Sequence, residues 1–318
     1  MMVKDKILIT GGYGLVGSQF VGDQYKKFSS SEYDLRRIKE VEKLFLNDFN
    51  KIIHCAGRVG GLGGNMKYKG EFFYDNIVIN TNVIEAARLK GITQLVAFLS
   101  TCIFPADVEY PLTEDKIHLG PPHYSNDAYG YAKRMADIQI RAYKEQYGLD
   151  YKCVIPTNIY GPHDNFDTQN GHVLPSLIHK CYIARETNTP LTIWGSGKPL
   201  REFIFSRDVA QLTEWVLNNY NEKEPIIFTT AEEISIKEVV GIIVELMNFK
   251  GKVIWDTHKP DGQYRKPSNN NKIKKYLPDF KFTSLYEGLE ETINWFEDHY
   301  DMARKGKIQE NYKYEKII

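Results

Sequence analysis

Residues 6–17 read KILITGGYGLVG, an apolar run that leads directly into a glycine-rich turn. The run Lys6–Thr10 predicts a buried strand, and the glycines let the backbone turn tightly and approach a ligand. Where such a turn joins a parallel strand to a helix, the N–H groups at the start of the helix bind a pyrophosphate. The predicted dinucleotide-binding turn comprises Gly11, Gly12, Tyr13, Gly14, Leu15, Val16 and Gly17.

The alternation of strands and helices continues through the first half of the chain. Strand-like runs occur at Lys51–Ala56, Leu95–Ser100 and Tyr151–Pro156, and helix-like stretches at Phe72–Lys90 and Asn126–Tyr147. The strands are continuously apolar, which is typical of a sheet that is covered on both faces. This order predicts an α/β fold with a Rossmann-like, doubly wound parallel sheet.

The composition changes after residue 160, where Pro, Gly, Asn and His become frequent. A helix-like Asp208–Asn218 and a strand-like Pro225–Thr229 can return to the sheet. Ser235 with Glu238 is typical of a capping box at the start of another helix. We therefore expect a smaller mixed α/β lobe beside the sheet. The charged end from Arg304 is expected to pack loosely.

Overall composition limits the classes of function. The formal net charge is zero and no basic excess suggests nucleic acid. No apolar run approaches the ~18 residues that a membrane span needs. The four cysteines have no paired spacing, which favours a reducing cytoplasm over a disulfide framework, and we predict no metal site.

The segment after the glycine turn is unusually short. Only 16 residues separate Gly17 from Asp34, and they must hold a helix, a turn and the second strand, which we place at Lys26–Ser30. The helix therefore has room for only about two turns. We keep Asp34 as a candidate cofactor residue.

The end of the second strand bears on the choice of cofactor. No carboxylate stands directly there to bind a ribose 2′-OH, whereas Ser29 and Ser30 do stand there, with two lysines close by. Hydroxyls and ammonium groups suit a 2′-phosphate, which favours NADP over NAD. Glu32 argues against this preference, and the lysines are alternatively no more than a solvated edge.

A second informative pattern is the pair Tyr129 and Lys133, which share one face of a helix. A phenol beside an ammonium is a ready proton donor, because the cation lowers its pKa from ~10. The pattern is weak alone, since a second match, Tyr312 with Lys316, lies in the charged tail. Ser100 ends a predicted strand at the edge where ligands bind, and its hydroxyl can hydrogen-bond a substrate carbonyl. This Ser/Tyr/Lys set resembles that of the extended short-chain dehydrogenases/reductases.

Several longer motifs narrow the resemblance. They read RVGG (58–61), STCIFP (100–105), PTNIYGP (156–162), DNF (164–166), GHVLP (171–175) and WGSG (194–197) followed by REF (201–203). In this order they resemble the GDP-L-fucose synthases, which are GDP-4-keto-6-deoxy-mannose 3,5-epimerase/4-reductases, over nearly the whole chain. The resemblance implies NADP(H), a GDP-sugar substrate and a homodimer that pairs the helices Asn126–Tyr147 and Phe72–Lys90.

The resemblance also implies roles for single residues. Cys102 and His172 match the epimerisation pair, Tyr129 the proton donor, Ser100 the group that orients the ketone oxygen, and Lys133 the ligand of the nicotinamide ribose. Without the resemblance, Cys102 is more often a small buried hydrophobe and His172 a surface histidine. The implied cofactor residues also include Ala56, Gly57, Leu99, Pro156, Asn158, Ile159 and His172. The implied substrate residues are Lys180, Trp194, Arg201 and Lys266, although either lysine is alternatively a solvated charge.

These implications divide the chain into two parts. We expect an NADP-binding domain at residues 1–160 with a return through about 205–230, and a GDP-sugar-binding lobe at about 161–204 and 231–318. The first alternative is another nucleotide-sugar enzyme, such as a 4-epimerase or an enzyme acting on a GDP-heptose or another 4-keto sugar. A more remote alternative is a non-catalytic NADP-binding regulatory protein, which predicts the loss of Ser100, Tyr129 or Lys133.

Overall fold

The computed structural model describes residues 5–259 and 261–306; most of the charged end for which loose packing is predicted lies outside them. The strands, in chain order, are β1 (Ile7–Thr10), β2 (Tyr25–Lys27), β3 (Lys51–His54), β4 (Gln94–Phe98), β5 (Asp150–Pro156), β6 (Asn158–Tyr160), β7 (Leu191–Trp194), β8 (Leu200–Phe205), β9 (Ile226–Phe228), β10 (Glu233–Ser235) and β11 (Val253–Asp256). The α-helices are α1 (Ile38–Leu44), α2 (Leu62–Lys67), α3 (Lys69–Leu89), α4 (Asp127–Tyr147), α5 (Val173–Glu186), α6 (Ser206–Asn219), α7 (Ile236–Leu246), α8 (Asn271–Tyr276) and α9 (Leu285–Asp298). None of these helices has the length and apolar character that crossing a bilayer requires.

The central sheet has six strands in the order β2-β1-β3-β4-β5-β9, and every neighbouring pair is parallel. The middle strands are buried along almost their whole length, as continuous apolar runs require. The chain leaves β1 to one side and later returns on the other, so the strand order reverses at the carboxyl end of β1. Ligands bind in the crevice at such a reversal, and the glycine turn lies there. The predicted doubly wound fold, with the return strand β9, is confirmed.

Helices α3 and α4 form one layer over the sheet. At one end the ring of Phe72 meets that of Tyr129 edge to face, with 6.2 Å between centroids. At the other end Tyr143 donates a hydrogen bond to Glu85 (2.7 Å). The position of α4 against α3 therefore fixes where Tyr129 enters the site.

The first helix is shorter than predicted. Instead of about two α-helical turns, the chain makes one three-residue 3-10 turn, Gly17–Gln19, and becomes extended at Phe20. The reason is length, because β2 begins at Tyr25, which pairs with Ile7, and Phe20 is buried in the core. Strand β2 also ends earlier than predicted, so Ser29 and Ser30 lie in the turn after it.

A second core lies in the other half of the chain. Buried side chains of α5, β7, α7 and α9 form it, among them Leu174, Ile178, Ile193, Ile243 and Phe296. The composition of residues 161–201 did not reveal α5 and β7, because α5 buries residues on most of its faces and β7 has only four residues. The capping box of Ser235 and Glu238 is present at the start of α7, as predicted.

Candidate active site

The glycine turn forms a tight cradle at the end of β1. Gly14 N–H donates to the carbonyl of Gly11 (3.0 Å) and Ser18 N–H donates to that of Gly14 (2.9 Å). A Cβ on Gly17 would overlap the carbonyl oxygen of Gly11, so a larger residue there would push the turn open. The exposed side of the turn, with the side chain of Tyr13, faces solvent. Backbone groups are therefore accessible to a diphosphate, and the turn fits the predicted dinucleotide.

The polar residues after β2 are already engaged with one another. The Ser29 N–H and hydroxyl both donate to the carboxylate of Glu32 (2.7 Å each), while Ser30 is exposed. Asp34 accepts two hydrogen bonds from the guanidinium of Arg36 (2.9 and 2.7 Å) and one from its N–H (3.0 Å). Hydrogen bonds from Arg36 lower the pKa of Asp34, although burial opposes them. A 2′-phosphate at this turn would have to displace Glu32 from Ser29.

Tyr129, Ser100 and Lys133 lie where the spacing placed them, on α4 and just after β4. The Ser100 hydroxyl lies near the phenol of Tyr129. Burial raises the pKa of Tyr129, the nearby Cys102 acts in the same direction, and Ser100 opposes them. Lys133 was expected to lower that pKa, but its ammonium donates instead to the carbonyl of Phe98 (3.0 Å). That expectation is wrong, since the pKa of Tyr129 is raised.

Lys133 is nevertheless close to the predicted ribose site. A Cβ on Gly57 would lie 3.2 Å from its ammonium nitrogen. The neighbouring Ala56 N–H is held by the hydroxyl of Thr10 (3.2 Å) at the end of β1. Burial lowers the pKa of Lys133 to about 8. A ribose hydroxyl bound beside the backbone of residues 56 and 57 would thus lie close to a desolvated cation.

Four further predicted cofactor residues lie at or just after the ends of β4 and β5. Leu99 is buried and its N–H donates to the carbonyl of Val154 (2.8 Å). Pro156 ends β5, and β6 presents Asn158 at the surface, where its amide donates to the carbonyl of Glu202 (2.7 Å). Ile159 is half-buried beside it. These residues line the same carboxyl edge of the sheet as Lys133.

Cys102 lies next to Ser100 and Tyr129. Its N–H donates to the Ser100 hydroxyl (3.2 Å), which caps a short 3-10 turn over Thr101–Ile103. The amide of Asn126 donates to the Cys102 sulfur (3.0 Å), and the ammonium of Lys266 donates to the carbonyl of Thr101 (2.7 Å).

Asn126 was not singled out from the sequence. It is the residue that precedes α4, where asparagine normally caps the helix, yet its side chain makes no cap and turns to Cys102. The sequence signal that could have identified Asn126 is its position three residues before Tyr129. Whether Asn126 and Cys102 meet depends on how α4 packs against the strand β4.

His172 is held on a separate element, immediately before α5. The segment that precedes it packs against the RVGG motif, since Gly61 N–H donates to the carbonyl of Asn170 (2.8 Å) and a Cβ on Gly61 would overlap the carbonyl of Gly171. Burial raises the pKa of the Asp164 carboxyl, and the nearby His172 opposes that rise. That His172 faces Cys102 across a sugar ring stays a prediction.

The four predicted substrate residues form two pairs. The Lys180 ammonium lies over the ring of Trp194, 4.7 Å from its centroid. Arg201 donates to the carbonyl of Gln263 (2.7 Å) and is near Lys266. Burial lowers the pKa of Lys266, and the positive charge of Arg201 lowers it further. Two neighbouring, half-buried cations are suited to an anion such as a diphosphate.

Comparison with known proteins agrees with this geometry. The model of the NAD dependent epimerase/dehydratase family matches residues 7–229. A GDP-L-fucose synthase of Dictyostelium discoideum is 48% identical over 314 residues, which cover 95% of this chain and 98% of the relative. The chain belongs to the GDP-L-fucose synthases of this family.

Other GDP-L-fucose synthases show the same extent of similarity. A probable GDP-L-fucose synthase of Drosophila melanogaster is 41% identical, with 94% of this chain and 99% of the relative covered. The crystal structure of a GDP-L-fucose synthetase from Naegleria fowleri bound to NADP superposes with a TM-score of 0.89 at 40% identity and covers 96% of this chain and 98% of that one. The resemblance inferred from the motifs is therefore confirmed.

Proposed function

We propose that this protein converts GDP-4-keto-6-deoxy-D-mannose to GDP-L-fucose by epimerisation at C3 and C5, followed by NADPH-dependent reduction of the C4 ketone. The observation that carries the proposal is the thiol of Cys102 next to the Ser100–Tyr129 pair. A simple ketone reduction does not require a thiol there. The identity of 48% to a GDP-L-fucose synthase supports the same activity.

In the epimerisation steps, the C4 ketone acidifies the hydrogens at C3 and C5. One of Cys102 and His172 removes a proton from one face of the ring, and the other delivers a proton to the opposite face. The enolate oxygen that forms between these transfers accepts a hydrogen bond from Ser100. Asn126 and Lys266 hold the sulfur and the adjoining backbone in place for both transfers.

In the reduction step, NADPH supplies the hydride to C4. Tyr129 gives its phenolic proton to the C4 oxygen, and burial suits this role because it keeps the phenol protonated. Ser100 orients the oxygen through its hydroxyl. Lys133 binds the ribose beside Gly57.

The cofactor in this proposal is NADP(H), and the NADP that the Naegleria fowleri protein binds supports it. The cradle of residues 11–17, the Ala56–Gly57 backbone and the loop of Pro156, Asn158 and Ile159 would hold its diphosphate, ribose and nicotinamide. Ser29, Ser30 and Asp34 lie at the 2′-phosphate end. The carboxylate of Glu32 competes there, so replacing it with glutamine is expected to increase the preference for NADPH over NADH.

We place the substrate between the two cores. Arg201 and Lys266 would bind the diphosphate of the GDP-sugar, while Lys180 and Trp194 contact the nucleoside. This assigns residues 1–160 and about 205–230 to cofactor binding and about 161–204 and 231–318 to substrate binding. The unpaired cysteines suit the reducing cytoplasm as the place of action.

The assembly in this proposal is a homodimer. Helix α4 exposes Tyr131, Met135 and Ile138 at helical spacing, and α3 exposes Phe73 and Tyr74 beside them. A joint apolar face of two packed helices is what a two-fold related copy would cover.

Light scattering on the eluted protein tests the dimer. Met135→Glu combined with Ile138→Glu is expected to halve the mass, because two carboxylates would be buried at the interface. Leu46→Glu, which changes an exposed leucine away from that face, serves as the control. A wild-type protein that elutes as a monomer contradicts this part of the proposal.

The decisive experiment for the reaction uses deuterium. The protein is incubated with GDP-4-keto-6-deoxy-D-mannose in D2O, and NADPH is added after NMR spectra have been recorded. Deuterium is expected at C3 and C5 before NADPH is present, and GDP-L-fucose afterwards. Reduction of the ketone without prior exchange would reject the epimerase half of the proposal.

A second candidate is an enzyme for another GDP-4-keto sugar. A GDP-L-colitose synthase of Yersinia pseudotuberculosis is 32% identical, with 92% of this chain and 97% of the relative covered. Its similarity is lower than that of the GDP-L-fucose synthases above, so we rank it second. Comparing kcat/KM for the two 4-keto sugars separates the candidates.

A further inference from the structure

The usual source of positive potential at a dinucleotide turn is reduced in this protein. An α-helix aligns its peptide dipoles over several turns, and its N-terminus attracts the diphosphate. Here only the three-residue turn Gly17–Gln19 follows the glycines. The backbone N–H groups remain, but the summed dipole of a first helix is missing.

The side chain of Lys27 fills part of this gap. Its ammonium donates to the carbonyl of Ser18 (3.2 Å), in the middle of the 3-10 turn. In a continued α-helix that carbonyl would accept from the N–H four residues later, at Gly22, but Gly22 has left the helix with φ +141°. The Lys27 stem also passes close to Gly12, because a Cβ on Gly12 would lie 2.7 Å from its Cβ and Cγ. Lys27 therefore connects the first and last parts of the glycine turn.

The charge of Lys27 is directed toward the cofactor edge of the sheet. Burial lowers the pKa of Lys27, and Cys55, which follows β3, opposes that change. The same ammonium contributes to lowering the pKa of His163, which follows β6. Lys26 differs, since it is exposed and its charge acts on Asp48 instead. Only one of the two adjacent lysines thus belongs to the glycine turn.

We propose that Lys27 is a positioning residue that replaces the missing first helix: it holds the glycine turn through Ser18 and supplies positive charge beneath the diphosphate of the dinucleotide. The inference rests on the proposed cofactor but not on the sugar. It also separates two tasks, because a residue that serves the diphosphate acts equally on NADP and NAD, whereas a residue that reads the 2′-phosphate acts on NADP alone.

The test measures dissociation constants of NADP+ and NAD+ by calorimetry, without turnover. Lys27→Met keeps the apolar stem and is expected to weaken both nucleotides by the same factor, about tenfold, as expected for the loss of a helix-dipole-sized contribution. Lys27→Gln retains a donor for Ser18 without the charge, and its dissociation constants are expected to lie between those of the wild type and Lys27→Met. Those of Lys27→Arg are expected to be near the wild-type values. Lys26→Met removes the same charge one residue away and is expected to change binding less than twofold.

Three results would overturn the inference. If only NADP+ binding is weakened, Lys27 serves the 2′-phosphate. If the binding of both nucleotides is unchanged, Lys27 has no role in it. If Lys26→Met loses the same affinity, the effect comes from the net charge of the protein and not from the position of Lys27. The GDP dissociation constant and the thermal unfolding midpoint without nucleotide verify that each variant is folded. If Lys27→Met does not fold, Lys27→Gln and Lys27→Arg test the inference by the same comparison of NADP+ and NAD+ dissociation constants. A wild-type protein that binds neither dinucleotide would reject the proposed function together with this inference, whereas equal binding by all variants would reject the inference alone.

Discussion

Replacing Lys133 with methionine is expected to stabilise the unliganded protein while it destroys cofactor use. Lys133 is 2% exposed, and no carboxylate in the part of the chain that the structure describes forms an ion pair with it. Burial lowers its pKa from 10.5 to about 8. The charged form of Lys133 is therefore less favourable in the folded protein than in the unfolded chain.

The pKa difference sets the magnitude. A lysine whose pKa falls from 10.5 to about 8 destabilises the fold by about 3 kcal/mol at pH 7, where it is charged in both states. Between these two pKa values the unfolded chain binds more protons, so wild-type stability rises with pH, and at pH 9.5 the penalty is only about 1.4 kcal/mol. Methionine also loses the hydrogen bond to Phe98, about 1 kcal/mol. The variant is thus expected to be about 2 kcal/mol more stable at pH 7, and its advantage to shrink by about 2 kcal/mol at pH 9.5.

Urea unfolding without nucleotide at both pH values measures this difference. NADPH is expected to raise the unfolding midpoint of the wild type but not of the variant. Lys152→Met is the matched control, because Lys152 is equally buried but pairs with Asp150 (2.8 Å), and its loss removes that ion pair. A Lys133→Met variant that is less stable at pH 7, or a stability difference that does not change with pH, would refute the reasoning.

Three other substitutions separate the steps of the proposed function. Cys102→Ser is expected to abolish deuterium exchange at C3 and C5 by NMR but to leave NADPH affinity within twofold. Tyr129→Phe is expected to retain that exchange while reduction, followed by NADPH absorbance, slows by about 10²–10⁴; loss of exchange as well would contradict the division of roles. Gly17→Ala would press a methyl group against Gly11 and is expected to weaken NADPH at least tenfold by calorimetry, whereas Gly70→Ala, which has open space in α3, leaves affinity unchanged and gains about 0.5–1 kcal/mol in urea unfolding.

The order of strands and helices could be read from the sequence because each is a local pattern. Continuous apolar runs predicted β1, β3, β4 and β5, and the spacing of Tyr129 and Lys133 placed both on one helical face. The first helix was predicted too long, since its length depends on where β2 must begin in order to pair with β1. That is a property of the sheet and not of the segment itself.

The residues of the candidate active site show the same division between local sequence patterns and tertiary packing. By themselves, the residues of this sequence determined a parallel nucleotide-binding sheet and a Ser/Tyr/Lys set, and the ordered motifs added Cys102 and His172. Tertiary structure alone decided that Asn126 turns from its helix to the Cys102 sulfur, and that Lys133 is desolvated beside the Phe98 carbonyl instead of tuning Tyr129. It also decided that Lys27 holds Ser18. Each of these contacts joins residues from different elements. Packing sets the distance between such elements, so the spacing of the residues along the sequence does not predict it.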